Sequence, residues 1–192
     1  MKKCRSIRKI DLSGNLLGSH EIASSINPTQ VTCGDTISDL LNDGVSDIQT
    51  LVLAWNMIRD KSAAKIANSF KLNTSLTHLD LSYNKLGEEG GQILGNALFT
   101  HKTLKVLDIT SNEISPKACF VIVAGVYACK TLKIVNMGDN PIGEVGTESI
   151  MMLQTILADE IDLDMRGCSV RLKDKTCTFD YAQPDGAYDL DL

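Results

Sequence analysis

No stretch of roughly 18 apolar residues, the length a helix needs to cross a bilayer, occurs in this 192-residue chain. No apolar signal segment opens it either, since Met1-Lys2-Lys3-Cys4 leads straight into patterned sequence. The chain therefore reads as soluble, not secreted, and cytoplasmic. Clustered basic charge is missing too. A net charge of −5 and a pI near 5.2 argue against nucleic acid or an anionic membrane as partner and leave basic or neutral proteins. The six cysteines (Cys4, Cys33, Cys119, Cys129, Cys168, Cys177) include no Cys-x-x-Cys pair, so no zinc or redox centre is expected. Without a secretory route the thiols are expected to be reduced, Cys119 and Cys129 serving as small buried residues in a helix, and the sequon Asn73-Thr74-Ser75 to be unused. Catalytic groupings are lacking as well. His20, His78 and His101 fall in different parts of the pattern described below and suggest neither a metal triad nor a Ser-His relay. Gly87, Gly90 and Gly91 form no phosphate loop, and Glu88-Glu89 suit the positive end of a helix dipole. The expectation is a non-enzymatic protein with no cofactor and no metal.

What the chain does have is repetition. In Leu76-Thr77-His78-Leu79-Asp80-Leu81-Ser82-Tyr83-Asn84-Lys85-Leu86, positions 1, 4, 6 and 11 are apolar and position 9 is Asn. The same frame fits Ile7/Ile10/Leu12/Asn15/Leu17, Ile48/Leu51/Leu53/Asn56/Ile58, Leu104/Leu107/Ile109/Asn112/Ile114 and Leu132/Val135/Met137/Asn140/Ile142. A degenerate sixth copy is Leu163/Met165/Cys168/Val170, with Cys168 in the Asn slot. The anchors at 15, 56, 84, 112, 140 and 168 are separated by 41 and then four times by 28 residues. Equal spacing on that scale identifies a single repeat domain, five full units and a degenerate sixth, and the 43% apolar content is enough for a continuous core.

Between anchors the period changes from that of a strand to that of a helix. Ile93, Leu94, Ala97 and Leu98 form one stripe; Ser115-Pro116 opens the next, with Ile122 and Val126 inward; Ile150, Leu153, Ile156 and Leu157 form another. The longer first gap predicts a helix over 19–26, stopped by Asn27-Pro28, and an insertion at about 27–47. That insertion carries a short helix capped by Asp35 or Thr36, with Ile37, Leu40 and Leu41 on one face; it is either a binding element or a tolerated addition on the helical side. The lead-in Lys2, Lys3, Arg5, Arg8 and Lys9 offers no polar cap, so either the chain is a fragment of a longer array or the lead-in folds over the apolar edge. The segment 171–192 leaves the repeat. Phe179, Tyr181, Tyr188, Leu190 and Leu192 alternate with polar residues around the turn Gln183-Pro184-Asp185-Gly186, which predicts a strand or hairpin closing the last unit.

The unit Leu-x-x-Leu-x-Leu-x-x-Asn-x-Leu-Gly-x-x-Gly resembles the ribonuclease-inhibitor-like class of leucine-rich repeat, which includes ribonuclease inhibitor, the Ran GTPase-activating protein and the repeat regions of NOD-like receptors. The resemblance spans roughly 7–170. It implies an α/β fold, a right-handed leucine-rich-repeat solenoid (horseshoe) with a parallel sheet on the concave face and helices on the convex face. The ending Asp-Gly-Ala-Tyr-Asp-Leu-Asp-Leu is similar to segments of large protist and ciliary proteins of this class, which adds a cytoskeletal or ciliary setting to the expectation.

The Asn of position 9 has a physical reason: where the chain leaves the strand, an amide can satisfy both N–H and C=O groups of the loops, and Asn15, Asn56, Asn84, Asn112, Asn140 and Cys168 would form a ladder. Strand alternation puts positions 3, 5 and 7 on the concave surface and 8 at its rim. Aromatic Trp55 and Tyr83 on adjacent rungs, apolar Val106 and Ile134, and the polar set His78, Asp80, Asp108, Asn136, Asp139, Asp162 and Asp164 then make a candidate binding surface for a protein with a basic or mixed surface. The alternative function, implied by resemblance to the Ran-activating family, is GTPase activation with Arg59, three residues after Asn56, as the loop arginine. A lesser one is inhibition of a basic enzyme.

Overall fold

Each repeat opens with a three-residue strand because only positions 3 to 5 keep a strict in-out alternation before the Asn turns the chain away. The computed structural model describes residues 7–22, 31–42, 47–157, 160–172 and 175–178. Strands β1 (Lys9–Asp11), β2 (Thr50–Val52), β3 (His78–Asp80), β4 (Val106–Asp108), β5 (Ile134–Asn136) and β6 (Asp162–Asp164) form one parallel sheet in sequence order. The pairing keeps the repeat in phase, Lys9 beside Thr50, His78, Val106, Ile134 and Asp162 along one row.

Parallel neighbours need a crossover, and helices supply it. These are α1 (Cys33–Asn42), α2 (Asp60–Phe70), α3 (Gly87–Leu98), α4 (Pro116–Ala128) and α5 (Gly143–Leu157), each packed on the next. The result is an α/β solenoid. Its core lies between sheet and helices, with Leu51, Leu79, Leu107 and Val135 from position 4 meeting Ile66, Leu94, Ile122 and Ile150 from the helices. Helices α3 and α4 come unusually close: a Cβ on Gly125 would lie 2.3 Å from the Gly95 carbonyl oxygen, so only glycine fits there. Ser115 caps α4 by accepting from Ala118 N–H, and Pro116 occupies its first turn.

Four expectations change. The helix expected over 19–26 is a short 3-10 turn, Ser19–Ile22, and 23–26 lie outside the described residues. The helix assigned to the insertion is α1, which stacks on α2 as each later helix stacks on its neighbour; it is the first repeat's own crossover helix. Gly34 permits this, since its N–H donates to Ser62 Oγ and an added Cβ would meet Ser62 Cα at 2.5 Å. The cap of α1 is Thr32, not Asp35 or Thr36: Asp35 N–H donates to Thr32 Oγ1 while Asp35 Oδ2 accepts from Thr32 N–H, a reciprocal capping box. Finally, Ile156 of α5 is 52% exposed while Ile150, Leu153 and Leu157 are buried. It lies roughly 90° round the helix from their centre, outside the narrow stripe a solenoid helix buries.

After β6 an antiparallel hairpin, β7 (Ser169–Leu172) and β8 (Lys175–Thr178), packs beside α5. Phe179, Tyr181, Tyr188, Leu190, Leu192 and the turn at 183–186 lie outside the described residues, as do Lys2, Lys3 and Arg5. No described helix is long and apolar enough to cross a membrane.

Candidate functional site

Position 9 builds the inner scaffold. Asn84 Oδ1 accepts from the N–H groups of Asn56 and Ile58, and its Nδ2 donates to the carbonyls of Leu53, Leu81 and Ser82. Asn56 and Asn140 make the corresponding bonds, and Asn112 donates to Leu81 and Thr110 while accepting from Leu86 N–H. Cys168 substitutes a thiol that donates to Met137 O at 3.2 Å. Asn15 differs: its Nδ2 donates to Leu12 and Ser13 carbonyls, but the side chain is exposed.

One residue before each rung, the backbone is left-handed in all six units. Gly14, Trp55, Tyr83, Ser111, Asp139 and Gly167 have φ between 52° and 74°. Glycine adopts this without strain, whereas a bulky L residue there costs on the order of 1–3 kcal/mol. Trp55 and Tyr83 are nevertheless placed there, 59% and 39% exposed, with rings stacked at 4.0 Å between centroids and 8° between planes.

Position 5 forms a second row, Asp11, Val52, Asp80, Asp108, Asn136 and Asp164, along strands about 4.8 Å apart. Burial raises the Asp80 carboxyl above the usual carboxylate range, helped by the charges of Asp108 and Asp11 and opposed by hydrogen bonds from Ser82. Asp108 Oδ2 accepts from Asn136 Nδ2. Burial alone would raise Asp164, but hydrogen bonds from Arg166 and its charge hold it below the ordinary value. A polar cleft of about 420 Å³ runs between Tyr83, Asp108, Asn136, Asp139, Asp164 and Arg166. Val106 and Ile134, half-buried at position 3, lie in the row of His78 and Asp162. The position-5 row, with Asp80 and Asp108, lies between them and the aromatic pair. The His78 imidazole, kept below its usual value by burial and then by Lys105, lies 2.8 Å from Thr77 Oγ1.

Position 7, expected on the open face, is buried at Ala54, Ser82 and Gly138. The chain has already begun to turn there, and a Cβ on Gly138 would meet the Arg166 carbonyl oxygen at 2.6 Å. Arg59 is half-buried just before α2, beside a cleft it shares with Glu88, Glu89 and Glu113, and its Nε is buried without an acceptor.

Two features were missed in the sequence. At the opposite turn, from helix to strand, Asn73, His101 and Cys129 recur every 28 residues. Asn73 Oδ1 accepts from Ser75 and Leu76 N–H, and His101 Nδ1 accepts from Thr103 and Leu104 N–H. Cys129 Sγ donates to His101 O. The equal spacing was the signal, hidden by three different residue types; it also explains Asn73, a buried residue whose Nδ2 donates to Leu41 O. On the helical side, Phe120, Tyr127, Met152 and Ile156 border an apolar groove of about 340 Å³ between α4 and α5. Burial raises the Cys119 thiol to about 12 and the Cys168 thiol to about 11, which suits packing and not chemistry.

A family model described as "Leucine Rich repeat" matches residues 72–95, 100–123 and 128–151. This is a leucine-rich-repeat protein. Its matched segments each run from the end of one helix through a strand and Asn rung into the next helix. No curated protein matches this leucine-rich-repeat chain. Among solved structures it resembles "Leiomodin-1 Actin-Binding Site 2 (ABS2)" at TM-score 0.60 and 19% identity, over 81% of this chain and 83% of that one. At that identity the likeness carries the fold alone.

Proposed function

We propose that the chain is a non-enzymatic protein-interaction module of the ribonuclease-inhibitor-like class, which binds a partner protein on its concave face through Trp55 and Tyr83. The observation that carries this reading is the stacked, exposed aromatic pair held in left-handed backbone where other units use Gly, Ser or Asp. A fold gains nothing from strain of that kind, whereas a docking partner gains two rigid aromatic anchors. The carboxylates of Asp80, Asp108, Asp139 and Asp164 beside them favour a partner with a basic or mixed surface.

The test compares wild type with the Trp55→Ala/Tyr83→Ala double variant as bait. Proteins retained by the wild type are expected to fall at least tenfold on the variant; equal recovery moves the site elsewhere. Actin, the ligand for which the similar leiomodin-1 segment is named, is the first purified protein to assay, by filament co-sedimentation. A positive result would place the module at the cytoskeleton.

A further inference from the structure

The β1 edge of the sheet is unlike every other boundary between repeats. Arg8 C=O accepts from Gln49 and Thr50, and Leu12 and Gly14 N–H donate to Val52 and Ala54. Even-numbered residues therefore face β2, and by alternation the N–H and C=O of Lys9 and Asp11 face outward, with no partner among the described residues. The apolar layer beneath is incomplete as well. Ile10, Leu12 and Leu17 are only partly buried where Leu51, Leu53 and Ile58 are fully buried, and Ile7 and Leu16 are exposed.

We propose that this edge pairs antiparallel with β1 of a second copy of the chain, joining two sheets into one about a two-fold axis through Ile10. In that register Lys9 faces Asp11 of the second copy, and Asp11 faces its Lys9. Both residues carry their backbone groups outward, so each pair exchanges two N–H···O bonds, as a hydrogen-bonded antiparallel pair requires. Pairing stops at Ser13, whose N–H is held by Asp11 Oδ1 and whose C=O is held by Asn15 Nδ2. Both side chains of each pair lie on the open face of the sheet, where opposite charges directly across antiparallel strands attract. A lone edge lysine would serve to keep other strands away; Lys-Ile-Asp is instead complementary to itself in this register. The opposite edge is not. Strand β6 reads Asp-Leu-Asp, and the same arrangement there would set Asp162 against Asp164 of the second copy. An axis normal to the sheet keeps both concave faces on one side, and such self-complementary contacts are what two-fold dimers are made of.

The experiment is sedimentation equilibrium of the full chain up to about 1 mM, a concentration at which even weak specific association registers. The wild type is expected to dimerise. Lys9→Asp and Asp11→Lys should each weaken association at least tenfold, with unchanged circular dichroism because both side chains are exposed. The Lys9→Asp/Asp11→Lys double swap should restore it, and an equimolar mixture of the two single variants should form a heterodimer. A wild type that stays monomeric overturns the proposal, as does a dimer indifferent to the single charge reversals or a double swap that remains monomeric.

Discussion

Trp55 and Tyr83 separate what the backbone wants from what the surface needs. Because their φ angles are 60° and 53°, Trp55→Gly and Tyr83→Gly should each be more stable than the matching Ala variant by about 1 kcal/mol in urea denaturation. Gly and Ala variants should nevertheless lose partner binding equally, since neither presents a ring. His101 makes a separate prediction. It is 5% exposed, stacked on Phe70 at 4.1 Å, and its Nδ1 must stay unprotonated to accept two backbone N–H groups. Burial depresses its pKa from 6.5 to about 4. Between those values the unfolded chain binds the proton and the folded chain does not, so this stability is complete above about pH 6.5 and is lost as pH falls towards 4. The loss should reach up to about 3 kcal/mol. His101→Asn, which copies the acceptor of Asn73 one repeat earlier, should flatten that part of the pH profile of unfolding.

Among elements, the Asn rungs differ in worth according to where they stand. Asn84 is buried and satisfies two N–H and three C=O groups, so Asn84→Ala should cost at least about 3 kcal/mol. Asn15→Ala, at an exposed rung, should cost less than about 1 kcal/mol by the same measurement. The strands, the phase of the sheet and these rungs were legible because apolar positions 4, 6 and 11 and the Asn recur unchanged. The turn column of Asn73, His101 and Cys129 was not, since three different side chains stand at the same turn, Asn73 and His101 accepting backbone N–H groups and Cys129 donating to a carbonyl. Nor was the left-handed column, where Gly, Trp, Tyr, Ser and Asp share one backbone shape that leaves no common letter. The cap of α1 escaped because Thr32 and Asp35 act reciprocally, and the sequence shows two candidate oxygens without saying which one leads. For the candidate surface, the row of Asp80 and Asp108 could be read from alternation, while the separation of Val106 and Ile134 from the aromatic pair depends on five further residues of chain path.

Across the whole molecule, each repeat shares its core only with its neighbours, so protection is expected to vary along the stack. Native-state hydrogen exchange should find the slowest amides in β3, β4 and β5, whose position-4 residues are almost fully buried, and faster ones in β1, where Ile10 is half-covered. The Asn ladder adds an asymmetry to that gradient. Asn56, Asn84, Asn112 and Asn140 each reach back to carbonyls of the unit before them, Leu12, Leu53, Leu81 and Ile109, and take N–H groups from that same unit. None reaches forward. Within the ladder, peeling the first unit away frees a side-chain amide, which water accommodates as it does Asn15, whereas peeling an Asn-bearing unit from the other side strips its acceptor from backbone donors of the unit beneath. The Asn-bearing units are a zip with a direction: pulled apart, they should open at β1 before β5, while β6, whose rung is the Cys168 thiol, lies outside the zip.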